Sequence, residues 1–174
     1  GIASFAIQKE TGQLTSKELQ ATEGSSPCYV SVNQANNQVL AAYYHRGTAE
    51  IYPVLENKLQ PVSSLIQFQG NGPNQARQEK PHAHYANFTP DQTYAVIVDL
   101  GTDKITTYRM HNNQFEEANT LTLKPGSGPR HLTFHPNGKF AYVMTELSNE
   151  IVALTYHSED GSFTELQYLS TIPA

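Results

Sequence analysis

Apolar and polar residues alternate along most of this chain in short runs, each stopped by a cluster of Gly, Pro, Asn or Asp. That is the pattern of half-buried strands joined by tight turns. Ile2-Ala3-Ser4-Phe5-Ala6-Ile7 alternates, turns at Thr11-Gly12, and returns as a second run from Leu14 to Thr22. From Pro27 onward the runs fall into groups of four: 28–34, 38–44, 48–55 and 59–68, then 82–88, 93–98, 104–110 and 114–123, then 130–135, 139–145, 150–156 and 163–171. Asn36-Asn37, Glu56-Asn57, Pro90-Asp91, Asn112-Asn113, Pro136-Asn137-Gly138 and Asp160-Gly161 supply the turns between them. No window of a dozen residues carries an apolar period of about 3.6, so the pattern predicts an all-β protein.

The groups are copies of one unit. Pro27-Cys28-Tyr29-Val30, Pro81-His82-Ala83-His84 and Pro129-Arg130-His131-Leu132 each open a group, and the prolines are 54 and then 48 residues apart. A repeat of about 50 residues made of four short strands is the signature of a β-propeller blade. The expected organisation is a half blade at 1–24 and blades at 25–69, 80–124 and 127–172, about fourteen strands or three and a half four-stranded antiparallel blades. Propellers close at about four to eight blades. The count therefore predicts the front half of a longer ring, or two copies packed edge to edge, because open strand edges and bare blade faces invite pairing.

Composition narrows the partners. The formal net charge is −5 with no basic run, which argues against nucleic acid or an anionic membrane as a partner. No apolar run approaches the roughly 18 residues of a membrane span, and Gly1-Ile2-Ala3-Ser4-Phe5 has no basic leader character. The single Cys28 excludes an internal disulfide framework and suits a cytoplasmic protein.

The chemistry-bearing residues concentrate where blades begin. Alignment on the opening prolines puts Cys28, His82 and Arg130 in one slot at the start of the innermost strand, beside the central channel. His82 and His84 are two apart and are expected on one side of a strand. The turn Asp99-Leu100-Gly101 aligns with Glu146-Leu147-Ser148 and brings carboxylates near that slot. An imidazole beside a carboxylate can act as a base on water, and a guanidinium can hold an anion. The long connection Gly70–Lys80, which carries Arg77, lies over one face of the ring. Other readings stay open at this point: hydrogen-bonded channel-wall histidines, a structural bridge from Arg130 to Asp99 or Glu146, or a metal held by His82 and His84, for which no third ligand stands at a matching spacing. Tyr43, Tyr44 and Tyr142 sit in strongly strand-patterned runs and are expected in the core.

Four segments in order, Arg77-Gln78-Glu79-Lys80-Pro81-His82-Ala83-His84, Asp99-Leu100-Gly101-Thr102-Asp103, Gly128-Pro129-Arg130-His131 and Glu146-Leu147-Ser148-Asn149, resemble the seven-bladed propeller lactonase family over what would be its first half. That family includes propeller-type 6-phosphogluconolactonases and carboxymuconate lactonizing enzymes. The resemblance implies a cytosolic enzyme that opens or forms a small anionic lactone without a cofactor, with the sugar lactone of carbohydrate metabolism favoured. It places catalysis on His82, Arg130 and Glu146, with His82 as base, Arg130 as anion clamp and Glu146 as orienter; His84, Asp99 and Arg77 are expected to bind substrate. The alternatives are carboxymuconate lactonization and a non-catalytic scaffold that binds protein. A further Arg that the family draws from a later blade has no counterpart in this chain.

Overall fold

The computed structural model describes residues 1–22 and 24–173; Glu23, within the expected half blade, and Ala174 lie outside the described residues. Strands β1 (Ile2–Ile7) and β2 (Leu14–Gln20) form a hairpin. The first full sheet holds β3 (Tyr29–Val32), β4 (Gln38–Tyr43) and β5 (Thr48–Leu55), with β6 (Lys58–Leu59) and β7 (Ser64–Gln67) both paired to β5. The second is β8 (Ala83–Phe88), β9 (Tyr94–Asp99), β10 (Lys104–His111) and β11 (Gln114–Thr122), and the third is β12 (Pro129–Phe134), β13 (Phe140–Thr145), β14 (Glu150–His157) and β15 (Ser162–Ser170). Every pairing is antiparallel between neighbours in sequence order, save that β5 also reaches past β6 to β7. These are propeller blades, and the described residues contain no helix.

One expected strand is broken. The run 59–68 splits into β6 and β7 around Gln60-Pro61-Val62-Ser63, which gives fifteen strands among the described residues. Pro61 has no N–H to donate to the ladder on β5, so the outer strand steps away and rejoins through Ser63 N–H to Ile51 O at 2.9 Å. Elsewhere the turn residues do what their chemistry allows. Glu56-Asn57 and Asn112-Asn113 each place two consecutive residues at positive φ, the backbone of a tight hairpin turn that matches strand twist.

Burial shows how the blades stack. Every residue of β9 is buried, because the second sheet is covered on both faces. Leu40, Ile51, Ala95, Ile97 and Tyr108 pack between the first and second sheets. Val96, Val98, Leu132, Val143 and Leu154 pack between the second and third. The outer face of the third sheet is bare: β13 alternates buried and exposed, and Tyr142, Met144, Ile151 and Leu169 are exposed there. Tyr142 thus lies outside the core expected for it, whereas Tyr43 is fully buried within it.

Two buried carboxylates tie the sheets to their connections. Asp99 accepts hydrogen bonds from His82 N (2.7 Å), Gly101 N (3.0 Å) and Thr102 Oγ1 (2.6 Å). Asp103 accepts from Gly126 N, Gly128 N and Gln78 Nε2 at 2.7, 2.7 and 2.8 Å. The connection between them is tight enough to require glycine, since a Cβ on Gly101 would stand 2.0 Å from the Lys80 carbonyl oxygen. Gly101→Ala should therefore cost about 2–3 kcal/mol through forced backbone displacement. Unfolding in urea checks this, and an unchanged midpoint would show that the contact relaxes freely.

Candidate functional site

The site is built by two β-bulges. In the second sheet Ala83 pairs with Asp99 and Tyr85 with Val98, which leaves His84 without a partner. In the third, Pro129 pairs with Thr145 and His131 with Met144, which leaves Arg130 unpartnered in the same way. In the first, Tyr29 pairs with Ala42 and Cys28 precedes it. The equivalent positions are therefore Cys28, His84 and Arg130. The proline alignment runs two residues out of register in the middle blade, so His82 does not share the slot. A bulge re-aims its extra side chain, and for that reason the strict two-residue alternation expected of His82 and His84 does not hold here.

His82 lies 3% exposed beneath Tyr44, with its ring stacked on the phenol at a centroid distance of 4.2 Å. Its Nδ1 is 3.1 Å from the Tyr44 carbonyl oxygen and its Nε2 is 3.2 Å from Glu79 Oε2. Asp99 is also displaced from its expected place. It pairs at the level of Thr145, one residue before Glu146, and its carboxylate is spent on the backbone of the following turn. Burial pushes its carboxyl up from the ordinary value against those hydrogen bonds.

Arg77, His84, Arg130 and Glu146 meet at one open cleft of about 480 Å³, completed by Ser26, Cys28, Tyr44 and His45. Glu146 sits between the two arginines: Oε1 accepts from Arg77 Nη2, and Oε2 is 3.1 Å from Arg130 Nη1. Burial works to raise the Glu146 carboxyl, but the Arg77 hydrogen bond and both guanidinium charges outweigh it and hold the group below the usual carboxylate range. The array of Arg77, Glu146 and Arg130 carries a net charge of +1 in a chain of net charge −5. His84 is 8% exposed, and its Nδ1 is buried without a hydrogen-bond partner among the described residues. Burial, with the Arg130 charge adding to it, pushes the imidazole below its ordinary value, so the ring is neutral at pH 7. Arg130 Nε is likewise buried and unpartnered.

Cys28, which the blade alignment set beside the channel, lines the cleft, and so does Tyr44, which is only partly buried rather than in the core expected for it. Tyr44 follows the end of β4, at the position that Glu146 occupies after β13. A strand-end position on the channel side was the available signal, and the apolar character of the run concealed it. The Cys28 residue is exposed, but its sulfur lies 3.4 Å from both Ala42 O and Ala83 O, and burial of the thiol pushes it up from its ordinary value. Among the described residues no three His, Cys, Asp or Glu side chains converge as a metal would require. A groove of about 500 Å³ between the hairpin and the first sheet is lined largely by apolar groups such as Phe5, Val32 and Val54, and holds neither imidazole nor guanidinium.

The family described as "Lactonase, 7-bladed beta-propeller" matches residues 1–174. The chain is 48% identical over 174 residues to the 6-phosphogluconolactonase of Bacillus subtilis, covering 99% of this chain and 50% of that protein. Among solved structures, a Lactobacillus plantarum protein superposes with a TM-score of 0.89 at 37% identity, covering 100% of this chain and 50% of the other. The periplasmic gluconolactonase of Pseudomonas aeruginosa superposes with a TM-score of 0.89 at 29% identity, covering 99% of this chain and 50% of that one. The chain thus spans about half the length of the relatives it matches. With blades, bulged inner strands and a family match from end to end, the chain belongs to the seven-bladed β-propeller lactonase family.

Proposed function

We propose that the protein to which this chain belongs hydrolyses an anionic sugar lactone, 6-phosphogluconolactone, to the open acid. The observation that carries this reading is the convergence of two guanidiniums on one carboxylate beside a neutral, unpartnered imidazole in a single cleft. A guanidinium presents a rigid fork that suits phosphate, and Arg77 and Arg130 together outweigh the one negative charge of Glu146. The name of the Bacillus subtilis relative favours the sugar lactone over a carboxymuconolactone, since both are anionic and the arginines do not separate them. One solved relative is periplasmic, so the cytoplasmic placement expected from the sequence is a proposal that family membership leaves open.

In this mechanism His84, which lines the cleft where His82 does not, takes a proton from water as the water oxygen attacks the lactone carbonyl carbon. Collapse of the tetrahedral intermediate breaks the ring C–O bond, and the leaving alkoxide recovers the proton from the His84 imidazolium. Glu146 keeps both guanidiniums aimed into the cleft.

The decisive assay uses the full-length protein on 6-phosphogluconolactone, with spontaneous hydrolysis subtracted. The expected result is saturable acceleration, and Arg130→Lys should raise KM about tenfold, because a point charge replaces the fork. No acceleration over the spontaneous rate would leave a protein-binding propeller scaffold as the better account.

A further inference from the structure

We infer that His82 is a positioning residue that clamps the Arg77-bearing connection to the first blade and so sets the place of one arm of the anion cradle. The inference rests on the lactonase reading for its kinetic arm only. Arg77 belongs to no strand; it projects from the long connection between the first and second sheets. Three anchors fix the end of that connection. Gln78, fully buried, donates through Nε2 to Leu100 O at 2.9 Å and Asp103 Oδ1 at 2.8 Å. Lys80 Nζ donates to His45 O at 3.0 Å. Glu79 meets His82 Nε2 at 3.2 Å.

The third anchor is two-sided. His82 faces two acceptors, the Tyr44 carbonyl at Nδ1 and the Glu79 carboxylate at Nε2. The ring thus bridges the first blade, through the Tyr44 carbonyl, to the connection, through Glu79. The backbone on the other side is held as well: Asp99 Oδ1 accepts the His82 N–H at 2.7 Å, and the Tyr44 ring lies flat against the imidazole at 4.2 Å. The clamp reaches Arg77 by two routes. Glu79 is two residues along the same connection, and Tyr44, against which His82 stacks, lines the same cleft as Arg77. Without His82 both supports loosen, and Arg77 loses its fixed approach to Glu146.

The test compares wild-type full-length protein with His82→Ala, Glu79→Gln, Arg77→Ala and the double variants that pair each of the first two with Arg77→Ala. A clamp acting through Arg77 raises KM about tenfold in His82→Ala and by a smaller factor in Glu79→Gln, with kcat changed less than about twofold. In the Arg77→Ala background neither change should add more than about twofold, which is the non-additivity expected of residues acting through one group. A fall in kcat at constant KM, or equal effects with and without Arg77, overturns the inference. Limited trypsin digestion decides it independently of catalysis. Within 70–80 the cleavable bond is Arg77–Gln78, because Lys80 precedes Pro81. Cutting there should accelerate about tenfold or more in His82→Ala and measurably in Glu79→Gln, with other sites unchanged. Unchanged cutting in both variants refutes the clamp. If wild type fails to hydrolyse the lactone, the lactonase reading falls while the digestion still decides the clamp. Glu79 has a half-exposed side chain, so Glu79→Gln serves even where His82→Ala does not fold.

Discussion

Replacing His84 by glutamine in the full-length protein should lower kcat for 6-phosphogluconolactone by about 10²–10⁴-fold, the usual worth of a positioned proton acceptor. Glutamine keeps the approximate volume and polarity but cannot take the water proton, and the Arg77–Glu146–Arg130 array is untouched. KM should change little. The pH profile gives a second check. His84 must be neutral to act, and burial holds it below its ordinary value. Protonation therefore removes the base on the acid side, and kcat/KM should fall below a pH under about 6.5, the unperturbed imidazole value. That limb should vanish in the glutamine variant. A His84→Gln enzyme with wild-type turnover, or an acid limb that survives the substitution, would remove His84 from the chemistry.

The blades were legible because their information is local. Alternation, turn residues and a period near 50 residues fix the strand count, and the one departure, at Pro61, follows from a missing donor. Arg130, Glu146 and Arg77 were legible as a group because each carries charge at a blade entrance or connection, where a β-propeller directs polar side chains toward its channel. His82 and Asp99 were misplaced for a different reason. Each bulge adds one residue whose position depends on cross-strand pairing, and the prolines that served as anchors are not equivalent in the ladder: Pro129 pairs with Thr145, while in the second sheet it is Ala83, not Pro81, that meets Asp99. A register error of two residues put the wrong histidine in the cleft, and an error of one put the wrong carboxylate there. Pairing is a long-range property, and one sequence does not state it.

The two aspartates in Asp99-Leu100-Gly101-Thr102-Asp103 have the character of a catalytic motif, yet both are spent on architecture, and Asp103 yields the largest expected loss of stability. Its carboxylate, 3% exposed, receives Gly128 N–H and Gln78 Nε2 on one oxygen and Gly126 N–H on the other. Asp103→Ala leaves three donors without that acceptor. Gln78 retains Leu100 O, and the Gly126 amide is only partly buried, so water recovers some of the loss. At about 1–3 kcal/mol for each buried donor left unpaired, the sum should be about 3–5 kcal/mol. Asp103→Asn keeps one accepting oxygen but turns an NH₂ toward a backbone N–H, and should fall between the two. The damage should also reach the cleft, because the same carboxylate braces the connection that carries Arg77 and the Gly128-Pro129 step that delivers Arg130. KM should therefore rise in whatever fraction of the variant stays folded, a combination that loss of a surface charge does not produce. Urea unfolding of the full-length variants against wild type measures the first effect, and initial rates below the transition measure the second. A loss under about 1 kcal/mol with unchanged KM would mean that the two connections hold their places without Asp103, and that the buried carboxylate is not what couples the blade junctions to the site.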